Sequence, residues 1–312
     1  MRIGLVLGGG GLTGGAFHAG VISALADAGW DARTASILQG TSAGSITATS
    51  LAAGFPPADL VRRHLGRPLS AQANAILARV GPDSREWEAA QERSLRPASP
   101  GLLADLVRNP WGAHPGKIAA AALPEGRVST AGIARGMAEL CGGVWPADSL
   151  RISALRLSDG QTVIFGGEGA PRPEVGAAVA ASCAIPGYFA PVEIGGERYV
   201  DGGTTSACNA GAVLHEELDV VLVSAPMAIH SGVRVAPDTP WRRVVRHQVD
   251  REIRVLRTAG VQVVLFAPTA EVAAAMGANP MAPGREAESA EAAYADTAAR
   301  IAEQPELRRL FG

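Results

Sequence analysis

The residues best placed to do chemistry lie in short glycine-framed clusters. Gly40-Thr41-Ser42-Ala43-Gly44 fits G-x-S-x-G, a serine held on a sharp strand-to-helix turn. Glycines on both sides permit that turn, and the N-terminus of the following helix favours negative charge developing at the serine. The consecutive glycines Gly8 to Gly11 can turn several backbone N–H groups into one concavity, which suits an oxyanion or a phosphate. Gly9, Gly11 and Gly14 also satisfy G-x-G-x-x-G, with Asp27 or Asp31 as the acid, so a nucleotide-binding loop is a second reading.

A nucleophilic serine needs a proton acceptor within hydrogen-bond reach. The six histidines are His18, His64, His114, His215, His230 and His247. None sits in a motif, and each reads as a surface or packing residue. Asp201, followed by Gly202 and Gly203, ends a strand at a glycine turn, where a carboxylate can be displayed rigidly. An Asp-Gly pair taken alone reads as a plain turn.

These clusters must be held by a scaffold. Ile3 to Leu7 is a short apolar run suited to a strand buried on both faces, and Phe17 to Ala28 has helical spacing. A second strand near Ser36 to Gln39 leads into the Ser42 turn, and a helix follows to about Ala53. Strand, glycine turn and helix, twice over, predict an α/β fold with a mostly parallel sheet between helical layers. Phe55 to Asp148 is rich in proline and reads as a cap inserted into a single domain spanning 1–312, with short helices such as Ala71–Val80 and Gly101–Val107. From Leu150 the pattern regularises. Arg151–Leu157 and Gln161–Phe165 form a hairpin about Asp159-Gly160, and a helix covers Pro173 to Ala181. A second hairpin turns at Gly195-Gly196 and ends on Asp201. Val220–Val223 and Val261–Phe266 are further strands, and Glu286–Leu310 is a terminal helix broken at Pro305.

Taken in order, Gly8–Gly14, Gly40–Gly44 and Asp201-Gly202-Gly203, with Ala180–Val192 before the aspartate, resemble the patatin-like phospholipases. The resemblance covers residues 1–54 and about 150–210, and loosely Val261–Ala282. It implies a three-layer α/β/α fold and a Ser42–Asp201 dyad without histidine. Ser42 would attack an ester carbonyl while Asp201 takes its proton. The N–H groups of Gly9, Gly10 and Gly11 would hold the oxyanion, with Gly40, Gly44, Gly202 and Gly203 shaping the turns. A carboxylate's ordinary pKa near ~4 makes it a weak base, so a partly dry site must raise it. Thr13 stands where the family usually has Arg or Lys. The implied activity is phospholipase A, lysophospholipase or carboxylesterase action. Lipid acyl transfer through the same acyl-enzyme is the enzymatic alternative.

Bulk properties fit this reading. The chain is 47% hydrophobic and 19% charged with a formal net charge of −2, so no global positive field argues for nucleic acid. Cys141, Cys183 and Cys208 lack disulfide or zinc spacing, and no cofactor or metal is expected. The absence of a leader pattern and of a long apolar stretch gives a cytoplasmic expectation. Trp241 to Arg257 is amphipathic, with Trp241, Val244, Val245, Val249, Ile253 and Leu256 on one face and Arg242, Arg243, Arg246, Arg251, Arg254 and Arg257 elsewhere. Such a helix either meets anionic lipid as a peripheral contact or packs its stripe on the sheet.

Overall fold

A computed structural model describes residues 1–82, 97–108, 114–229 and 239–311. In chain order the elements are β1 Ile3–Leu7, α1 Gly11–Asp27, β2 Ile37–Thr41, α2 Ala43–Ala52, α3 Pro57–His64, α4 Ala71–Leu77, α5 Pro100–Arg108, α6 Pro115–Ala122 and α7 Ala131–Cys141. There follow β3 Leu150–Arg156, β4 Thr162–Phe165, α8 Val175–Ser182, β5 Val192–Ile194, β6 Glu197–Asp201, β7 Val220–Ser224, α9 Thr239–Thr258, β8 Gln262–Phe266, α10 Ala270–Met276, α11 Glu286–Glu303 and α12 Pro305–Phe311. The loop expected around His230 lies outside the described residues.

The strands form one mixed sheet, connected as β5-β6-β3-β2-β1-β7-β8 with β4 also on β3. β3, β2, β1, β7 and β8 pair in parallel, while β4, β5 and β6 are antiparallel. The central strands are buried on both faces, which explains their continuous apolar runs. On β1, Leu5 and Leu7 join a core with residues of α1, α2, α8 and α11. Val6, between them, faces the opposite side with Val221 and Val223 of β7 and Val245, Val249, Ile253 and Leu256 of α9. The result is three layers, α/β/α, as expected.

Two differences from expectation have physical causes. Helix α1 starts at Gly11, six residues before Phe17. Its glycines are poor helix formers, but they let neighbours approach. In the added turn a Cβ on Gly11 would lie 2.7 Å from the Pro280 carbonyl oxygen and one on Gly14 3.3 Å from the Pro226 Cγ, so packing overrides propensity. The proline-rich insert is also dispersed: α3 packs on α1, and α7 on α8 and α2. A small separate cluster, Ala98 and Ala120 against Leu155, Leu157 and Val200, anchors the region of α5 and α6 beside the Asp201 turn.

Sheet register places the expected pair together. β4 occupies one edge of β3 along Ile152 to Leu155. β2 and β6 therefore share the other edge. β2 runs up it and ends with Thr41 beside Ser153. β6 comes from the opposite direction and ends with Asp201 beside Ala154. The C-terminal ends of β2 and β6 thus meet head to head, about 3.3 Å apart in register along β3, and Ser42 is the next residue after Thr41.

Candidate active site

Ser42 caps α2 with φ 53° and ψ −124°, one of three described non-glycine residues with positive φ. This conformation is costly for a residue with a Cβ, of order 1–3 kcal/mol, and persists only where its surroundings enforce it. Here the Ser42 N–H donates to the Ser182 hydroxyl at 2.9 Å, and the Ser42 carbonyl accepts from the Ser45 hydroxyl at 2.6 Å. The flanking glycines act by close approach, and neither has a positive φ. A Cβ on Gly44 would overlap the Leu7 carbonyl oxygen, and one on Gly40 would lie 2.5 Å from the Ser45 Cα.

Asp201 is 4% exposed and Ser42 8%. Burial pushes the Asp201 carboxyl from its usual 3.8 up to about 6, opposed by hydrogen bonds from the Ser42 hydroxyl and then from the Gly203 N–H. The Gly203 bond is 2.7 Å long, so the turn after the strand orients the carboxylate. Gly202 lies directly against Ser153, where a Cβ would sit 2.6 Å from its carbonyl oxygen.

The glycine loop reaches the same place from β1. A Cβ on Gly9 would stand 3.3 Å from the Ser42 Cβ. The expectation of three free donors is corrected: Gly9 donates its N–H to the Ala207 carbonyl at 2.7 Å, and one proton cannot serve two acceptors well. The N–H groups of Gly10 and Gly11 have no acceptor among the described residues. Leu12, also at the start of α1, offers a further N–H of the same kind. Thr13 donates its N–H to the Pro280 carbonyl at 3.2 Å, and its hydroxyl is buried without a hydrogen-bond partner among the described residues. The nucleotide reading weakens here, because Pro280 takes a helix-start N–H that a pyrophosphate would use.

Several supporting residues carried no local signal in the sequence. The His18 Nε2 donates to the Gly8 carbonyl at 2.7 Å, so Nδ1 accepts from the Ser224 hydroxyl at 2.7 Å. Burial lowers this imidazole to about 4. Neutral and with both nitrogens engaged, His18 fixes the glycine loop and is not a base for Ser42. Asn209, with φ 50°, points its amide at the β2–β3–β6 junction. It donates to Thr41 Oγ1 at 3.2 Å, Ser153 Oγ at 3.1 Å and the Ser206 carbonyl at 2.8 Å. Cys183 lies near Ser45, Ser42 and Asp201. Burial and the Asp201 charge push its thiol up, which keeps it protonated and unreactive.

The family model for patatin-like phospholipases matches residues 5–214. The chain belongs to the patatin-like phospholipase family. Membership makes it, in general terms, a lipid acyl hydrolase. The match ends before α9, β8 and the helices after it. Among solved structures, the crystal structure of VipD from Legionella pneumophila is similar over 99% of this chain and 67% of that one, at 14% identity and a TM-score of 0.48. No curated protein matches the sequence significantly. Gly8–Gly14, Ser42 and Asp201 all fall within the matched span. No described helix is long and apolar enough to cross a membrane. Among the described residues no group of three or more His, Cys, Asp or Glu could hold a metal ion.

Proposed function

We propose that this patatin-like protein hydrolyses acyl esters of lipids through a Ser42–Asp201 dyad, with Gly10 and Gly11 as oxyanion donors. The observation that carries this reading is a strained serine set beside a buried carboxyl by the shared strand β3, with that carboxyl raised to about 6. Such a carboxyl is ionised at neutral pH yet far more basic than an exposed aspartate, which suits a general base. The Ser42 Oγ attacks the ester carbonyl carbon as its proton passes to the Asp201 carboxylate. The carbonyl electrons move onto oxygen, stabilised by the N–H groups of Gly10 and Gly11. Collapse of the tetrahedral adduct breaks the ester C–O bond, and the departing alcohol takes the proton from Asp201. Water then attacks the acyl-enzyme, losing a proton to Asp201, and the returning proton restores the Ser42 hydroxyl. Each oxyanion donor is worth about 3 kcal/mol by general precedent in acyl transfer.

The region around α5 and α6, seated on Leu155, Leu157 and Val200, is read as the cap of a single catalytic domain. Treatment with a fluorophosphonate probe, followed by peptide mapping, tests the proposal. Label on Ser42, abolished in Ser42→Ala, is expected. Unlabelled Ser42 in folded protein that also fails to cleave p-nitrophenyl acyl esters refutes it.

A further inference from the structure

Helix α9 lies outside the span matched by the family model and has two unlike faces. Its inner face, Val245, Val249, Ile253 and Leu256, is buried against the sheet. Its outer face is different. Trp241, Val244 and Val255 are 60%, 58% and 49% exposed, and Arg243, His247, Arg251 and Arg254 are exposed beside them. Val244, His247, Arg251 and Val255 follow helical spacing along one side. The helix's two acids do not neutralise that face. Asp250 accepts from Arg246 at 2.9 Å, and Glu252 turns inward to accept from the Ser206 hydroxyl and from the Ala210 N–H at 2.8 Å.

The same helix grips the catalytic end of the sheet. The buried Arg242 is withdrawn from the surface and donates to the Pro226 carbonyl at 2.7 Å. Pro226 in turn packs on the glycine loop, where a Cβ on Gly10 would stand 2.7 Å from its Cγ. Gln248 donates to the Thr205 carbonyl, and with Glu252 it holds the segment that follows Asp201.

We infer that the outer face of α9 docks the protein on an anionic lipid surface. This rests on the lipid-hydrolase reading for its purpose but not for its physics. An amphipathic stretch with tryptophan and valine between arginines matches a bilayer interface, where indole and aliphatic groups enter the headgroup boundary and cations meet lipid phosphates. A soluble acidic protein would satisfy the arginines but leave Trp241 and Val244 without an apolar phase.

The test uses the full chain with Ser42→Ala, so that lipid is not consumed, in sedimentation with phosphatidylcholine vesicles with and without phosphatidylglycerol. Binding that appears with phosphatidylglycerol and fades with salt is expected. Replacing Arg243, Arg251 and Arg254 by Gln is expected to weaken it about fivefold per residue at low salt, roughly 100-fold together, and Trp241→Ala with Val244→Ser to weaken it tenfold or more. On the Ser42 background, hydrolysis of a water-soluble p-nitrophenyl ester by the same variants stays at the parental rate. Binding indifferent to lipid charge, or to both sets of changes, overturns the inference. So does a parallel loss of soluble-ester turnover, which would assign α9 a purely structural role. Vesicle binding by a protein without any esterase activity sinks the hydrolase reading alone.

Discussion

Replacing Asp201 by Asn should abolish turnover and, at neutral pH, make the protein more stable. Burial raises this carboxyl from 3.8 to about 6 in the folded state, so folded protein binds its proton more tightly than unfolded chain. The sign follows directly. Below about pH 4 the group is protonated in both states and costs nothing. Between about pH 4 and 6 the unfolded chain ionises first, and folding stability falls as pH rises. At about 1.4 kcal/mol per pH unit, two units amount to about 3 kcal/mol lost above pH 6. Asn is neutral and nearly the same size, so it escapes this loss, less about 1 kcal/mol for an imperfect bond to Ser42 or Gly203. Chemical denaturation of wild type and Asp201→Asn from pH 4 to 8 reads the difference, and other titrating groups such as Glu252 cancel in the comparison. The variant should be about 1 kcal/mol less stable than the wild type at pH 4 and about 2 kcal/mol more stable above pH 6. An Asp201→Asn protein that still turns over ester, or a stability difference flat with pH, refutes the reasoning.

Other expectations follow from the same geometry. Because Asp201 must be ionised to accept a proton, kcat/KM should rise with pH through a single ionisation near 6 that belongs to Asp201 and to no histidine. Ser42→Gly and Ser42→Ala both lose the hydroxyl, but only Ala keeps the Cβ at φ 53°. Equilibrium unfolding should find the Gly variant more stable by about 1 kcal/mol or more, and equal stabilities would remove the strain argument. Gly44→Ala should prevent folding, as its Cβ meets the Leu7 carbonyl. Gly15→Ala, with no atom near its Cβ position, should raise stability by about 0.5–1 kcal/mol. His18→Ala should lose activity and thermal stability together, because Gly8 and Ser224 lose their shared partner, whereas Ser42→Ala loses activity alone.

The sequence made the framework readable wherever local pattern and final structure coincide. β1, β2, β7 and β8 are short apolar runs, the Asp159-Gly160 and Gly195-Gly196 hairpins turn where expected, and Pro305 separates α11 from α12. Boundaries failed where tertiary contact decides, as when α1 extends back to Gly11 through a glycine-rich turn that packs closely on Pro226 and Pro280. Ser42 and Asp201 were visible as motif and strand end, but their neighbours were not. His18, Ser182 and Asn209 are single polar residues whose partners lie far away in the chain, so no window of sequence reveals them. The commitment of the Gly9 N–H to Ala207 was equally hidden, because run length says nothing about which donors are already used. Glycines invite a conformational explanation, yet Gly40 and Gly44 serve by letting α2 lie against its neighbours.

The head-to-head arrangement of β2 and β6 on one edge of β3 separates chemistry from selectivity. The spacing of Ser42 and Asp201 is fixed by the hydrogen-bond ladder of a single shared strand. The chain between α2 and β3, which carries the proline-rich segment, leaves the sheet after the nucleophile is placed and rejoins it at the ladder. Its length and composition can therefore drift, or be exchanged with that of a relative, while the distance between Ser42 and Asp201 stays set. On the proposed mechanism, a grafted segment would bring new substrate preferences to an unaltered Ser42–Asp201 pair, making this scaffold suited to diversification by insertion rather than by revision of that pair.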